Sequence, residues 1–226
     1  MSPQQDSGQF LELAYYCDTA GVPLPFPLPT TVFDVKTALT DWLTTARRSL
    51  AGTIHPRAEV DGAVIVEPGA TVDAGAVITG PALICRGAYI GRGLVRDHTV
   101  IGPGSKIGYA CEITRTLILA DTRAMHFVFI GDSIIGSQVN VGSSSVLANL
   151  RVDRPVVEPA VDELAVTIGD TRIGTGQTKF GAVLGDRVQL PALTSVAPGT
   201  LIGPDVTIYP TDQLGGLYPS QARVKS

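Results

Sequence analysis

Aliphatic residues recur at every sixth position along most of this chain. From Ile54 the series runs Val60, Val66, Val72, Ile78, Ile84 and Ile90. The phase slips by one and continues as Val95, Ile101, Ile107 and Ile113. Two further slips give Ile118, Ala124 and Ile130, then Ile135, Val141 and Leu147. After a break the series resumes as Leu184, Leu190, Val196, Ile202 and Ile208. A period of six fits neither a helix at 3.6 nor an ordinary alternating strand. It predicts an all-β solenoid, a parallel β-helix in which each hexad is one short strand plus a corner. The aliphatic residue points inward and stacks on its counterpart in the next coil. Gly often follows the inward residue, as at Gly91, Gly102, Gly108, Gly131, Gly136, Gly142, Gly185 and Gly203, where a tight corner tolerates little else.

The flanks obey other patterns. Residues 1–50 carry no hexad and are read as an N-terminal helical and Pro-rich cap. The stretch 9–17 predicts a short helix, and Pro23, Pro25, Pro27 and Pro29 force an extended course. Val35, Leu39, Trp42, Leu43, Ala46 and Leu50 then fall on one face of a second helix, with Thr31 and Asp34 as its capping signal. That helix is expected to plug the open first coil, which otherwise exposes unpaired backbone. The β-helix is assigned to 51–210. Within it, residues 150–182 break the period and predict a loop, with a hairpin between 164 and 174. Long loops on a rigid scaffold concentrate function. Residues 211–226 are polar and read as a tail trailing from the last coil.

Composition narrows the classes. The 226 residues include 25 Gly and 16 Pro, yet 60 are Ile, Val or Leu. That combination excludes disorder and collagen, and it suits Gly at corners with aliphatics inside. Lys and Arg number 17 against 21 Asp and Glu, a net charge of −4. This argues against a nucleic-acid partner, because phosphate backbones are held by clustered cations. No apolar run approaches the roughly 20 residues of a membrane span, and the N-terminus lacks the pattern of a signal peptide. Cys17, Cys85 and Cys111 are widely spaced, with no Cys-x-x-Cys pair, as in a reduced cytoplasmic protein. His55, His98 and His126 include no closely spaced pair, so no metal site is expected.

The hexad is that of the left-handed β-helix, or hexapeptide-repeat, proteins. This resemblance implies three hexads per triangular coil and a homotrimer. A finer resemblance rests on Arg123-Ala-Met-His126-Phe-Val-Phe129-Ile-Gly-Asp, then Asn140, Ser143 and Ala148-Asn149-Leu150-Arg151, then Thr178-Lys179-Phe-Gly. It extends to Pro198-Gly-Thr-Leu-Ile-Gly203 and to Tyr209-Pro210. These residues resemble the acetyltransferase domain of the bifunctional N-acetylglucosamine-1-phosphate uridylyltransferases, and most closely that of the archaeal sugar-1-phosphate nucleotidylyltransferases. The resemblance implies acetyl-CoA or another acyl-CoA as co-substrate and an aminosugar 1-phosphate as acceptor. It implies that His126 is the general base, that Asn140 holds the sugar, and that Asn149 lies near the acceptor and acyl group. It implies that Arg96 binds the sugar phosphate with Lys179 nearby, in a site between subunits.

Counting three hexads per coil places Ser143 one rung above His126, at the coil spacing of about 4.8 Å. Its backbone N–H is then a candidate oxyanion donor. The same count puts Lys106, Arg123 and Asn140 in one polar column beside that corner. Amide formation needs such a set: a base near neutral pKa, an oxyanion donor, and cations for phosphate. Departures from the family are also visible. Phe129 stands where the family has Tyr, Pro155 and Glu158 stand where archaeal relatives have Lys, and Thr114 replaces a Lys beside Arg115. The family's nucleotide-binding half has no counterpart in these residues. The reading is an acyltransferase, with an amine as the favoured acceptor group on a sugar or sugar-like metabolite. The alternative is a catalytically silent solenoid that binds a metabolite or partner.

Overall fold

The computed structural model describes residues 7–159, 162–211 and 213–225. Its strands are two to four residues long and assemble into three parallel sheets of nine, nine and eight strands. Each sheet takes every third strand, so the chain winds as a parallel β-solenoid. One turn takes 18 residues between Thr53 and Thr71 and 17 between Lys106 and Arg123. The slips in the hexad are these shortened coils, in which one side loses a residue while the inward series stays stacked. The inward residues form one continuous core running from Val64 to Leu214, with Ile84, Ile101, Ile118, Ile135, Leu184 and Ile202 wholly buried.

The glycines after the inward residue do not hold the left-handed corner conformation. At Gly108 a Cβ would lie 2.1 Å from the Met125 carbonyl oxygen of the next coil. Close coil-to-coil approach therefore selects glycine there. The left-handed residue of that corner is Ala110, at φ +53°.

Two segments differ from expectation, and a third matches it. The helix Val35–Thr45 ends before Ala46, and Ser49–Leu50 forms a strand of the first sheet instead. This helix does not plug the first coil. It lies along the outside of the first sheet, where Leu83, Val100, Leu117, Ile134, Val183 and Leu201 form a column of outward apolar residues. Phe10, Tyr16, Val35, Leu39 and Leu43 cover that column, because an exposed aliphatic ladder of this length costs solvation along its whole extent. The predicted hairpin is present as Ala165–Ile168 paired antiparallel with Thr171–Gly174, and it joins the same layer through Val166 and Ile168. Finally, the described residues of the expected tail continue the solenoid. Gln213–Leu214, Leu217–Tyr218 and Arg223–Val224 each add a strand to one sheet, since Leu214 and Val224 repeat the inward position.

Candidate active site

The sequence-predicted site residues occupy two corners, on either side of the third sheet. The first corner follows the second sheet. Arg123–His126 is one of its strands, and Tyr109 is the register partner of His126 on the coil below. Ser144 N–H bonds the His126 carbonyl at 3.0 Å, and Leu193 N–H bonds the Ser143 carbonyl at 2.8 Å, so Ser143 stacks directly above His126. The imidazole is exposed at the end of an open groove of about 380 Å³, lined also by Asp73, Tyr89, Arg92, Tyr109 and Met125. Gly91 and Gly108 form part of its wall. Tyr109 and Phe127 leave half of each ring exposed beside it.

Along the second sheet the register runs Lys106, Arg123, Asn140, which is the predicted polar column. Arg123 turns its guanidinium to the carbonyls of Gly104 (2.9 Å) and Thr122 (3.2 Å). Asn140 is exposed.

The second corner follows the third sheet and is more heavily charged. Arg115 grips Asp132 with two parallel hydrogen bonds, Nε to Oδ1 at 2.9 Å and Nη2 to Oδ2 at 3.0 Å. Asn149 donates from Nδ2 to Asp132 Oδ2 at 2.6 Å. Lys36 reaches across from the Val35–Thr45 helix to Asp132 Oδ1 at 2.9 Å and to the Lys179 carbonyl at 2.8 Å. Arg96 is bound by Glu112 at 2.7 and 3.0 Å, and by Asp97. Burial alone would push the Asp132 carboxyl up. The hydrogen bond from Arg115 and the charge of Lys36 outweigh it and hold the group below the ordinary carboxylate value. Phe129 lies on the outer face of the third sheet between the two corners, level with Glu112 below and Val146 above.

His126 and Asp132 stand six residues apart along one side of a coil, roughly 15–20 Å at strand rise. Within one chain, then, the His126–Ser143 group and the Asn149–Arg115 group face different directions. Arg96, expected to hold the phosphate, and Arg115, beside the position where the family has a Lys, are already paired with carboxylates of this chain. Lys179 contributes its carbonyl to Lys36, and its side chain is half-buried nearby. Spacing could not have found Lys36 or Asp132. They are 96 residues apart in sequence, and the only local hint was an acid directly after Ile-Gly in the histidine motif. Among the described residues, no His, Cys, Asp and Glu side chains form a group able to hold a metal ion. No described helix is long and apolar enough to cross a membrane.

A solenoid built on this hexad is a hexapeptide-repeat protein. Residues 51–211 match the family model described as the GMPPB C-terminal domain, and the chain belongs to that family. It is 40% identical over 172 residues to the bifunctional protein GlmU of Methanococcus vannielii, covering 76% of this chain and 40% of that protein. It is 34% identical over 160 residues to the bifunctional sugar-1-phosphate nucleotidylyltransferase/acetyltransferase of Sulfurisphaera tokodaii, covering 70% and 38%. A third relative, the putative uncharacterized acetyltransferase YaiX of Escherichia coli, is 31% identical over 115 residues, covering 51% and 47%. The matched region thus spans about two-fifths of the length of the two bifunctional relatives.

Proposed function

We propose that this protein is an acyl-CoA-dependent acyltransferase, acetyl-CoA being the favoured donor, that acylates an amino group on a sugar phosphate or sugar-like metabolite. The observation that carries this reading is the exposed His126 beneath Ser143, in a chain whose relatives are named acetyltransferases. His126 accepts the proton of the acceptor amine as its nitrogen attacks the thioester carbonyl. The Ser143 N–H donates to the resulting oxyanion. The tetrahedral intermediate collapses with loss of the CoA thiolate, which takes the proton from the imidazolium, and the amide is left on the acceptor.

The active unit in this reading is a homotrimer. A three-fold axis parallel to the solenoid introduces no shift along it, so coils of equal height meet. His126 and Ser143 of one subunit would then face Phe129, Asn149 and Arg115 of the next, uniting the two corners that one chain holds apart. Asn140, Arg123 and Lys179 border the acceptor. Arg96 and Arg115 serve a phosphate only by exchanging a carboxylate partner for it, which favours acceptors beyond a single sugar 1-phosphate.

The test is release of free thiol from acetyl-CoA in the presence of glucosamine 1-phosphate. Release that disappears in His126→Ala protein of unchanged oligomeric state supports the reading, and turnover unchanged by His126→Ala removes the base. The second reading, a silent solenoid, is favoured by the self-paired arginines and by Phe129. It predicts neither thiol release nor acetyl-CoA binding.

A further inference from the structure

Four hydrogen bonds from three separate segments converge on Asp132, whose side chain is wholly buried. Arg115 alone would neutralise the carboxylate. The additional Lys36 and Asn149 contacts exceed what neutralisation requires, and they join the N-terminal helix to the start of the inserted loop. The chemistry of the pair also settles how Asn149 is turned. A carboxylate only accepts, so the amide nitrogen must face it and the carbonyl Oδ1 must face away, ready to accept a hydrogen bond. Gly131 makes room for this arrangement. A Cβ there would lie 2.6 Å from Asn149 Nδ2 and 3.0 Å from the Phe129 ring, so the missing side chain leaves room for the carboxamide on the Phe129 side, the face where the acceptor is proposed to lie.

We infer that Asp132 is a positioning residue that orients the Asn149 carbonyl toward the acceptor amine, and that Lys36 clamps it, making the N-terminal helix a working part of the site. The functional half of this inference rests on the acyltransferase reading of Asn149. The orientation itself does not.

Asn140 and Asn149 are the only asparagines in the chain, so protein labelled with 15N only at asparagine shows two side-chain amide pairs, assigned by the loss of one in Asn149→Ala. In Lys36→Met and Asp132→Ser proteins the Asn149 pair is expected to move and to exchange faster with solvent, while the Asn140 pair stays in place. An Asn149 pair at its wild-type position in either folded variant overturns the inference. With acetyl-CoA and glucosamine 1-phosphate, Lys36→Met is expected to raise the acceptor KM about tenfold, the cost of one misaligned hydrogen bond, and to leave the acetyl-CoA KM unchanged. Equal change in both constants, or in neither, overturns the functional half. Absence of turnover in the wild-type protein would count against the proposed acceptor, and the amide signals would still decide the orientation.

Discussion

The rings of Tyr109 and Phe127 meet edge to face at 5.4 Å, on adjacent coils of the corner that carries His126. Each is about half exposed, at 50% and 56%, which is a large apolar area to leave facing water beside a groove. On coils above, Leu193 and Val146 are exposed as well. If this ridge packs against the neighbouring subunit, Tyr109→Ala combined with Phe127→Ala shifts the protein from trimer to monomer. Light scattering on the eluted peak reads the mass. A double variant that remains trimeric would place the subunit contact elsewhere.

The separation of the two corners yields a subunit-mixing experiment. His126→Ala and Asn149→Ala proteins are each expected to lose turnover. On the proposed trimer, the two proteins unfolded together and refolded as mixed assemblies are expected to regain a fraction of it, because some interfaces then pair an intact histidine corner with an intact asparagine corner. No recovery on mixing would mean that both residues act within one chain, against the distance between them.

Acid stability follows from Asp132. Its folded-state carboxyl lies below the ordinary value of 3.8, so folding is favoured by its ionised form. The contribution is complete above that ordinary value and is lost as pH falls through the lower folded value. Unfolding temperature measured from pH 6 to pH 2 should drop at the acid end, and Asp132→Asn should flatten that part of the curve while lowering stability at neutral pH. An unchanged acid slope in the variant would assign the acid transition to other carboxylates.

Glycine substitutions separate close approach from simple flexibility. Gly108→Ala drives a methyl group into the Met125 carbonyl at 2.1 Å, whereas Gly21 has nothing within 4 Å and no left-handed φ. Gly108→Ala is expected to cost about 2–4 kcal/mol, in the range of severe overpacking, and Gly21→Ala about zero or slightly stabilising. Denaturant midpoints of the two proteins check the difference. Equal midpoints would show that the coils can move apart at no cost.

The core was readable because its repeat is local. Every residue of the period-six series from Val66 to Ile208 faces the core, and even the slips correspond to coils of 17 residues; Val128, Val139, Val188 and Val206, two positions before members of the series, also face inward and lie outside that period. The outward column of the first sheet left a weaker signal that was present but unread. Leu83, Val100 and Leu117 precede inward residues in every third hexad, and an apolar pair recurring at that interval marks a sheet covered on both faces. Reading it would have placed the helix Val35–Thr45 along the flank and not over the end. The last coil was missed because its polar corner residues outweigh Leu214, Leu217 and Val224 in composition.

By itself, the sequence determined the solenoid, the run of its inward residues, the hairpin after residue 164 and the stacking of Ser143 over His126. All of these depend on spacing along the chain, and a repeat with a fixed residue count per coil converts spacing directly into position. Only the tertiary structure decided which side chains meet across that spacing. It brought Lys36 and Asn149 to Asp132, spent Arg115 and Arg96 on carboxylates, and set His126 and Asn149 on different corners. Those pairings join residues far apart in the chain through burial and charge, which no period in the sequence encodes.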